Sequence, residues 1–295
     1  MRLAPFELAE PASLGEALAV LARHDGESRL IAGGTALVPM LRLGLARPDR
    51  LVSLHRIPGI TEIQSNGGGL GIGAMATHAA VRRDPSVRAG WPLLAEAAGR
   101  VASPAIRASG TLGGNLCYAE SASDVAPALL CLDAEVTVEG AGGARTVAVG
   151  DFFRGFYETA LEPGEILTRV RVPAAPPGAR SGYVKFCPRS AEDRALVGIA
   201  ALLVVAGDGR RCEDVRLALG GAAPTPLRAR GAETVLRGEA LTDAAIGAAG
   251  DAAAAEADPL SDLMGSADYR RDMVRVWVRR LLLTLREGDS APLQR

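Results

Sequence analysis

The sequence predicts a mixed helix–strand chain of more than one domain, and three observations carry that prediction. Amphipathic helical runs alternate with short apolar, strand-like runs along the whole length. Two glycine-rich turns, Gly33-Gly34-Thr35 and Thr111-Leu112-Gly113-Gly114-Asn115, each follow an apolar run. A proline-rich stretch, Pro173-Ala174-Ala175-Pro176-Pro177-Gly178, interrupts the alternation and marks the main domain boundary. With 295 residues the chain has room for two domains or three.

In the first segment Ser13 is placed to cap a helix. Glu16 stands at the capping-box spacing, before the amphipathic run from Ala17 to Ala22. Arg29-Leu30-Ile31-Ala32 reads as a short buried strand ended by Gly33-Gly34-Thr35. A helix follows through Leu37, Met40, Leu41 and Leu45, closed by Pro48, and Leu51-Val52-Ser53-Leu54 is the next strand. The middle segment opens with strand-like runs at Ile60 to Ile63 and Leu70 to Ile72, separated by the hairpin signal Asn66-Gly67-Gly68-Gly69. A helix from Pro92 to Ala102 ends near Pro104, ahead of the second glycine turn. A helix through Val125 to Leu132 and strands at Glu135 to Val138 and Ala144 to Val149 complete the segment. Past the boundary, strands are expected at Val184 to Phe186, Gly198 to Val205 and Val215 to Leu219. Helices then follow and end in Tyr269 to Leu285, one side in the core and Arg270, Arg275 and Arg279 in solvent. Residues 287–295 are expected to form a flexible tail.

Composition narrows the function classes. Apolar residues make up 48% and charged residues 23%, ordinary for a globular protein, and the net charge of −1 gives no reason to expect nucleic acid or an anionic membrane as partner. Met1 to Phe6 lacks an apolar signal core, and the longest apolar run, Leu196 to Ala206, is too short to span a bilayer, so a cytoplasmic protein is expected. The four cysteines are widely spaced with no C-x-x-C pair, so no endogenous metal centre is expected. The three histidines fall in no zinc or Ser-His-Asp pattern, and no catalytic residue is assigned. Arginine supplies the cations almost everywhere, with Lys185 as the sole lysine. It is either a chance remnant or the mark of a site that needs a compact ammonium.

Consecutive glycines let a backbone approach a ligand closely and adopt positive φ, which can aim several N–H groups at one anion. Thr35, Thr111 and Asn115 add side-chain donors beside the two turns. Neither turn is a G-x-G-x-x-G fingerprint or a Walker loop, and each taken alone reads more readily as a tight turn without a ligand.

In these turns the chain resembles the FAD-binding subunits of molybdenum hydroxylases, the family of the medium subunit of aerobic carbon monoxide dehydrogenase and the flavin domain of xanthine dehydrogenase. The matching runs are Leu30 to Pro39 with Leu45 to Asp49, Ile106 to Asn115 extended through Ser123-Asp124-Val125-Ala126-Pro127, Phe152 to Leu167, Leu219 to Ala229, and Ala267 to Arg271. They occur in order over nearly the whole chain. The resemblance implies an α+β fold: a vanillyl-alcohol-oxidase-type (PCMH-type) FAD-binding domain of two subdomains, about 1–55 and 56–173, then a smaller α+β domain over 179–286. It implies that FAD pyrophosphate lies on Ile31, Ala32, Gly33, Gly34, Thr35 and Ala36 and on Thr111, Gly113, Gly114 and Asn115. Asp124 is implied at the nucleotide side, Leu167 and Lys185 along the flavin, and Ala102 and Tyr118 among the contacting positions. A cation near the isoalloxazine would stabilise the anionic reduced flavin.

The residues also carry structural readings. Asp124 suits the N-cap of a helix starting at Val125, Asn115 suits a left-handed turn, and Cys117 suits either the flavin's surroundings or a buried filler. Arg107 reads as a brace and His78 as structural. The function implied is electron relay. A large subunit holds the molybdenum cofactor, a small one holds [2Fe–2S] clusters, and FAD here passes electrons to an external acceptor, in a dimer of heterotrimers. The alternative is a free-standing FAD-dependent oxidoreductase acting directly on a small molecule. Substrate and acceptor are not readable from this chain.

Overall fold

The computed structural model describes residues 3–23 and 27–288. Three strands form a small parallel sheet, with Arg50–Ser53 between Glu7–Ala9 and Ser28–Ile31. Parallel neighbours need crossovers, which the helices Leu14–Arg23 and Leu37–Leu43 supply. Ser13 Oγ accepts from Glu16 N, and the Glu16 carboxylate accepts from Ala12 N, so the capping box forms with its return bond one residue earlier than the motif places it. Gly44, in the left-handed conformation, closes the second helix four residues before Pro48.

Next comes a five-stranded antiparallel sheet in the order Ile63–Asn66, Gly69–Gly73, Ile166–Pro173, Glu135–Gly140, Gly143–Ala148. Asn66 pairs with Gly69, so Gly67-Gly68 is the two-residue hairpin turn. The strand expected from Ile60 begins only at Ile63, because Pro58-Gly59 starts a turn in which Glu62 N donates to Gly59 O. Helices Pro92–Arg100, Leu112–Tyr118 and Val125–Cys131 pack with this sheet in one apolar core.

The last sheet, four antiparallel strands from Arg180–Phe186 through Val197–Val205 and Cys212–Gly220 to Leu227–Arg228, serves two cores. Side chains alternate across a strand. Tyr183, Ala200, Leu202, Val204 and Ala218 therefore face the core of the preceding helices. Val184, Ile199, Ala201, Leu203, Leu217 and Leu219 face a second core built with helices Arg230–Leu236, Asp243–Glu256 and Ala267–Glu287. This double burial explains why Val197–Val205 is apolar almost throughout.

Two expectations need correction here. Arg270 is buried, not solvated: its guanidinium donates to Leu196 O and pairs with both oxygens of Asp262, bridging the last helix to the sheet. Glu287 is still helical and Gly288 caps the helix, while 289–295, the rest of the expected tail, lie outside the described residues. No helix among the described residues is long and apolar enough to cross a membrane.

Candidate cofactor site

The strand Ser28–Ile31 delivers the first glycine turn to the start of the Leu37–Leu43 helix, with Gly34 at φ 68°. The backbone N–H groups of Gly33, Gly34, Thr35 and Ala36 have no protein acceptor among the described residues, and all four residues are only partly buried. Four successive N–H groups on one glycine turn are an arrangement that can cradle an anion. His55 Nε2 lies 3.1 Å from Ala32 O and steadies the turn from behind.

The other glycine turn differs from its expectation. Gly113 and Gly114 lie inside the helix Leu112–Tyr118, without positive φ, and their N–H groups are engaged: Gly113 N donates to Ala74 O and Gly114 N to Thr111 Oγ1. The competition is won by helix formation, because Thr111 is an N-cap residue. Glycine is needed for space instead. A Cβ on Gly113 would lie 2.6 Å from Ala74 Cβ, and one on Gly114 would lie 2.7 Å from Thr111 Oγ1 and 3.4 Å from Ala32 Cβ. A Cβ on Gly33 would lie 2.0 Å from Ser109 O. The glycines thus bring the two turns into direct backbone contact, and the Thr111 turn contributes side chains rather than N–H groups. Asn115 Oδ1 accepts from Ser123 Oγ at 2.6 Å, which fixes the amide and leaves its NH₂ without a protein acceptor among the described residues. Asn115 is helical, so the left-handed-turn reading is set aside.

Asp124 does not cap its helix; Ser123 Oγ accepts from Ala126 N there. The Asp124 carboxylate instead accepts from Tyr183 Oη at 2.8 Å and pairs with Lys185 Nζ at 3.0 Å. Lys185 also donates to Arg100 O at 2.9 Å, and its side chain is only 4% exposed. Glu96, one turn earlier on the same helix as Arg100, accepts from Tyr183 N. The sole lysine therefore joins the last sheet to two helices of the preceding core.

These contacts rest on a fold shared with known proteins. Residues 4–175 match the family described as FAD binding domain in molybdopterin dehydrogenase, and 182–285 match the CO dehydrogenase flavoprotein C-terminal domain. The chain belongs to this flavoprotein family. It is 39% identical to the carbon monoxide dehydrogenase medium chain of Hydrogenophaga pseudoflava, over 94% of this chain and 96% of that one. It is 37% identical to the nicotine 6-hydroxylase medium subunit of Paenarthrobacter nicotinovorans, over 96% and 98%. Reconstituted CO dehydrogenase from Oligotropha carboxidovorans superposes with TM-score 0.93 at 36% identity, covering 97% of this chain and 99% of that one.

As a member of the molybdopterin-dehydrogenase flavoproteins the chain binds FAD, and the row of N–H groups at Gly33 to Ala36 fits a diphosphate. The other expected positions have different surroundings. Ala102 holds φ 36°, and its carbonyl, with that of Val101, accepts from Arg107 Nη1, which makes Arg107 the brace expected. Leu167 lies opposite Val138 with its side chain in the core, so only its backbone is available to a ligand. Tyr118 packs against Tyr157 with the rings tilted by 56° and centroids 5.1 Å apart; Tyr157 Oη donates to Glu120, and Arg194 pairs with the same carboxylate at 2.7 Å. Burial pushes the Cys117 thiol up to about 12, which keeps it protonated at neutral pH.

Burial raises Asp124 to about 6 against the pull of Lys185 and Tyr183, so it is ionised at neutral pH. Burial, helped by Arg107, lowers His78 to about 4; its backbone N–H donates to Gly110 O and holds the two turns in place. Sequence reasoning missed Tyr183, Glu96 and the Glu120–Arg194 pair. The strand period did carry a signal for the first, since Tyr183 and Lys185 share a face.

Proposed function

We propose that this chain is the FAD-carrying electron-transfer subunit of a molybdenum hydroxylase complex. A small subunit with [2Fe–2S] clusters supplies the electrons, a large subunit holds the molybdenum cofactor and binds substrate, and an external acceptor takes the electrons from here. One copy of each forms a heterotrimer, doubled about a two-fold axis in the cytoplasm. The observation that carries this reading is the run of unpaired N–H groups from Gly33 to Ala36, in a chain matching medium subunits from end to end.

FAD, when bound, supplies exchange of electrons with carriers on either side. The chain's own residues bind and orient it. Ile31 to Ala36 line the pyrophosphate, with the backbone N–H groups of Gly33 to Ala36 donating to it, and Thr111 and Asn115 donate from the other side, with Gly113 and Gly114 giving them room. Residues 1–173 form the FAD-binding domain and 179–286 close over it. Lys185 holds a positive charge at that closure, with Asp124 and Tyr183 fixing its position. Ala102, Tyr118 and the backbone of Leu167 complete the enclosure and exclude water.

Co-expression with the large and small subunits should yield one particle containing molybdenum, iron and one FAD per copy of this chain. Substrate turnover by this chain unaided, at ordinary enzymatic rates, would replace the relay with a free-standing oxidoreductase. A folded chain that takes up no FAD would refute both.

A further inference from the structure

Away from the glycine turns, the helices His78–Arg83, Pro85–Gly90 and Pro92–Arg100 enclose an open cleft of about 580 Å³ lined by Arg82, Arg83, Arg88, Ala95 and Glu96. None of the three arginines forms an ion pair with a described residue.

The acids nearest in the chain are committed elsewhere. The Asp84 carboxylate accepts from Ser86 N, Val87 N and Ser86 Oγ, capping the middle one of these helices. Glu96 accepts from Tyr183 N. Three guanidinium groups therefore meet one carboxylate already in use, and the cleft keeps a net positive charge of about two.

The stem of Arg82 also rests on the neighbouring helix. Gly99 lies within the helix Pro92–Arg100, where glycine costs about 1 kcal/mol relative to alanine. A Cβ there would lie 3.2 Å from Arg82 Cδ and Nε. The Arg82 stem thus packs on the helix surface that Gly99 leaves bare.

We propose that this cleft binds a phosphate-bearing anion, at a place separate from the FAD turns. Guanidinium groups present planar, paired donors that match phosphate oxygens, and here two stand in the last turn of one helix and the third in the last turn of the next, bordering one cleft. The open mouth suits a ligand that enters from solvent and leaves again. No residue of the two glycine turns lines the cleft, so occupation of one site does not require displacement from the other.

The test is calorimetric titration of the FAD-loaded full chain with inorganic pyrophosphate at low ionic strength, with ADP in a separate arm. Saturable one-to-one binding is expected, with the flavin absorbance of the protein unchanged. Arg82→Gln/Arg88→Gln should weaken it at least about tenfold, the scale of losing charge-assisted hydrogen bonds. Glu96→Gln keeps an acceptor for Tyr183 N while removing the opposing charge, and it should tighten binding. Tighter ADP than pyrophosphate assigns a nucleotide; equal affinity assigns the phosphate groups alone. Affinity unchanged in the double arginine variant, or no saturable binding of either probe, overturns the proposal. So does release of FAD by pyrophosphate, since that would place the anion at the glycine turns.

Discussion

Lys185 sits between a carboxylate and a backbone carbonyl, and that pairing decides how its charge is felt. If the pair borders the flavin, removing the two charges must move the flavin midpoint potential in opposite directions. Lys185→Met leaves Asp124 unbalanced and should lower it, whereas Asp124→Asn leaves the ammonium unbalanced and should raise it. Shifts of about 30 mV correspond to about 1.4 kcal/mol for two electrons. A shift of the same sign in both variants would indicate a structural role alone. The pH dependence of folding also resolves into single residues. His78, lowered from 6.5 to about 4, contributes stability above the unfolded value that is lost as pH falls. Asp124, raised from 3.8 to about 6, contributes stability at low pH that is lost as pH rises through 6. The two contributions act in opposite senses between pH 4 and 6. Urea denaturation at pH 7 and pH 4.5 should show His78→Leu losing less stability on acidification than the parent, and Asp124→Asn losing more. Parallel losses in all three proteins would contradict these assignments. Composition did single out the lone lysine, but its partners could not be read, because they lie 61 and 85 residues away.

The two turns show where local pattern informs and where it misleads. The turn at Gly33 was legible down to its conformation, since a glycine pair after a strand and before a helix leaves little choice. The turn at Gly113 has a similar sequence yet folds differently, because Thr111 begins a helix that absorbs the N–H groups. Gly114→Val should still abolish FAD binding, but by forcing Thr111 and Ala32 apart rather than through any positive φ. Gly33→Ala tests the contact between turns directly: with its Cβ 2.0 Å from Ser109 O, the turns must separate, and FAD affinity should fall at least about tenfold. Fluorescence titration with FAD measures both, and native affinity in folded variants would remove the turns from the site. Arg270 illustrates a different failure. Helical periodicity treats every arginine as solvated, yet this one finds Leu196 O, 74 residues distant, and the last helix depends on it. Arg270→Met should cost about 1–3 kcal/mol in thermal or urea unfolding by leaving that carbonyl unsatisfied.

At the scale of the whole chain, the alternation of elements and the proline-rich stretch were plain in the sequence, and the sheet order was not, since strand neighbours come from far along the chain. The last sheet has no face of its own to spare: one side completes the first core and the other the second. Tyr183, Ala200, Leu202, Val204 and Ala218 would meet water if the chain were cut in the Pro173 to Gly178 stretch, and the severed C-terminal half is expected to aggregate when expressed alone. Differential scanning calorimetry of the intact chain should show one transition, with calorimetric and van't Hoff enthalpies equal; two resolved peaks would contradict the shared sheet. A layer that belongs to two cores also restricts inheritance. Recombination at the proline stretch, to all appearance a natural seam, would exchange one half of a packed interface for another shaped to a different partner. The two halves are therefore expected to descend together, each substitution on the inner face of that sheet answered by one in the helices across from it.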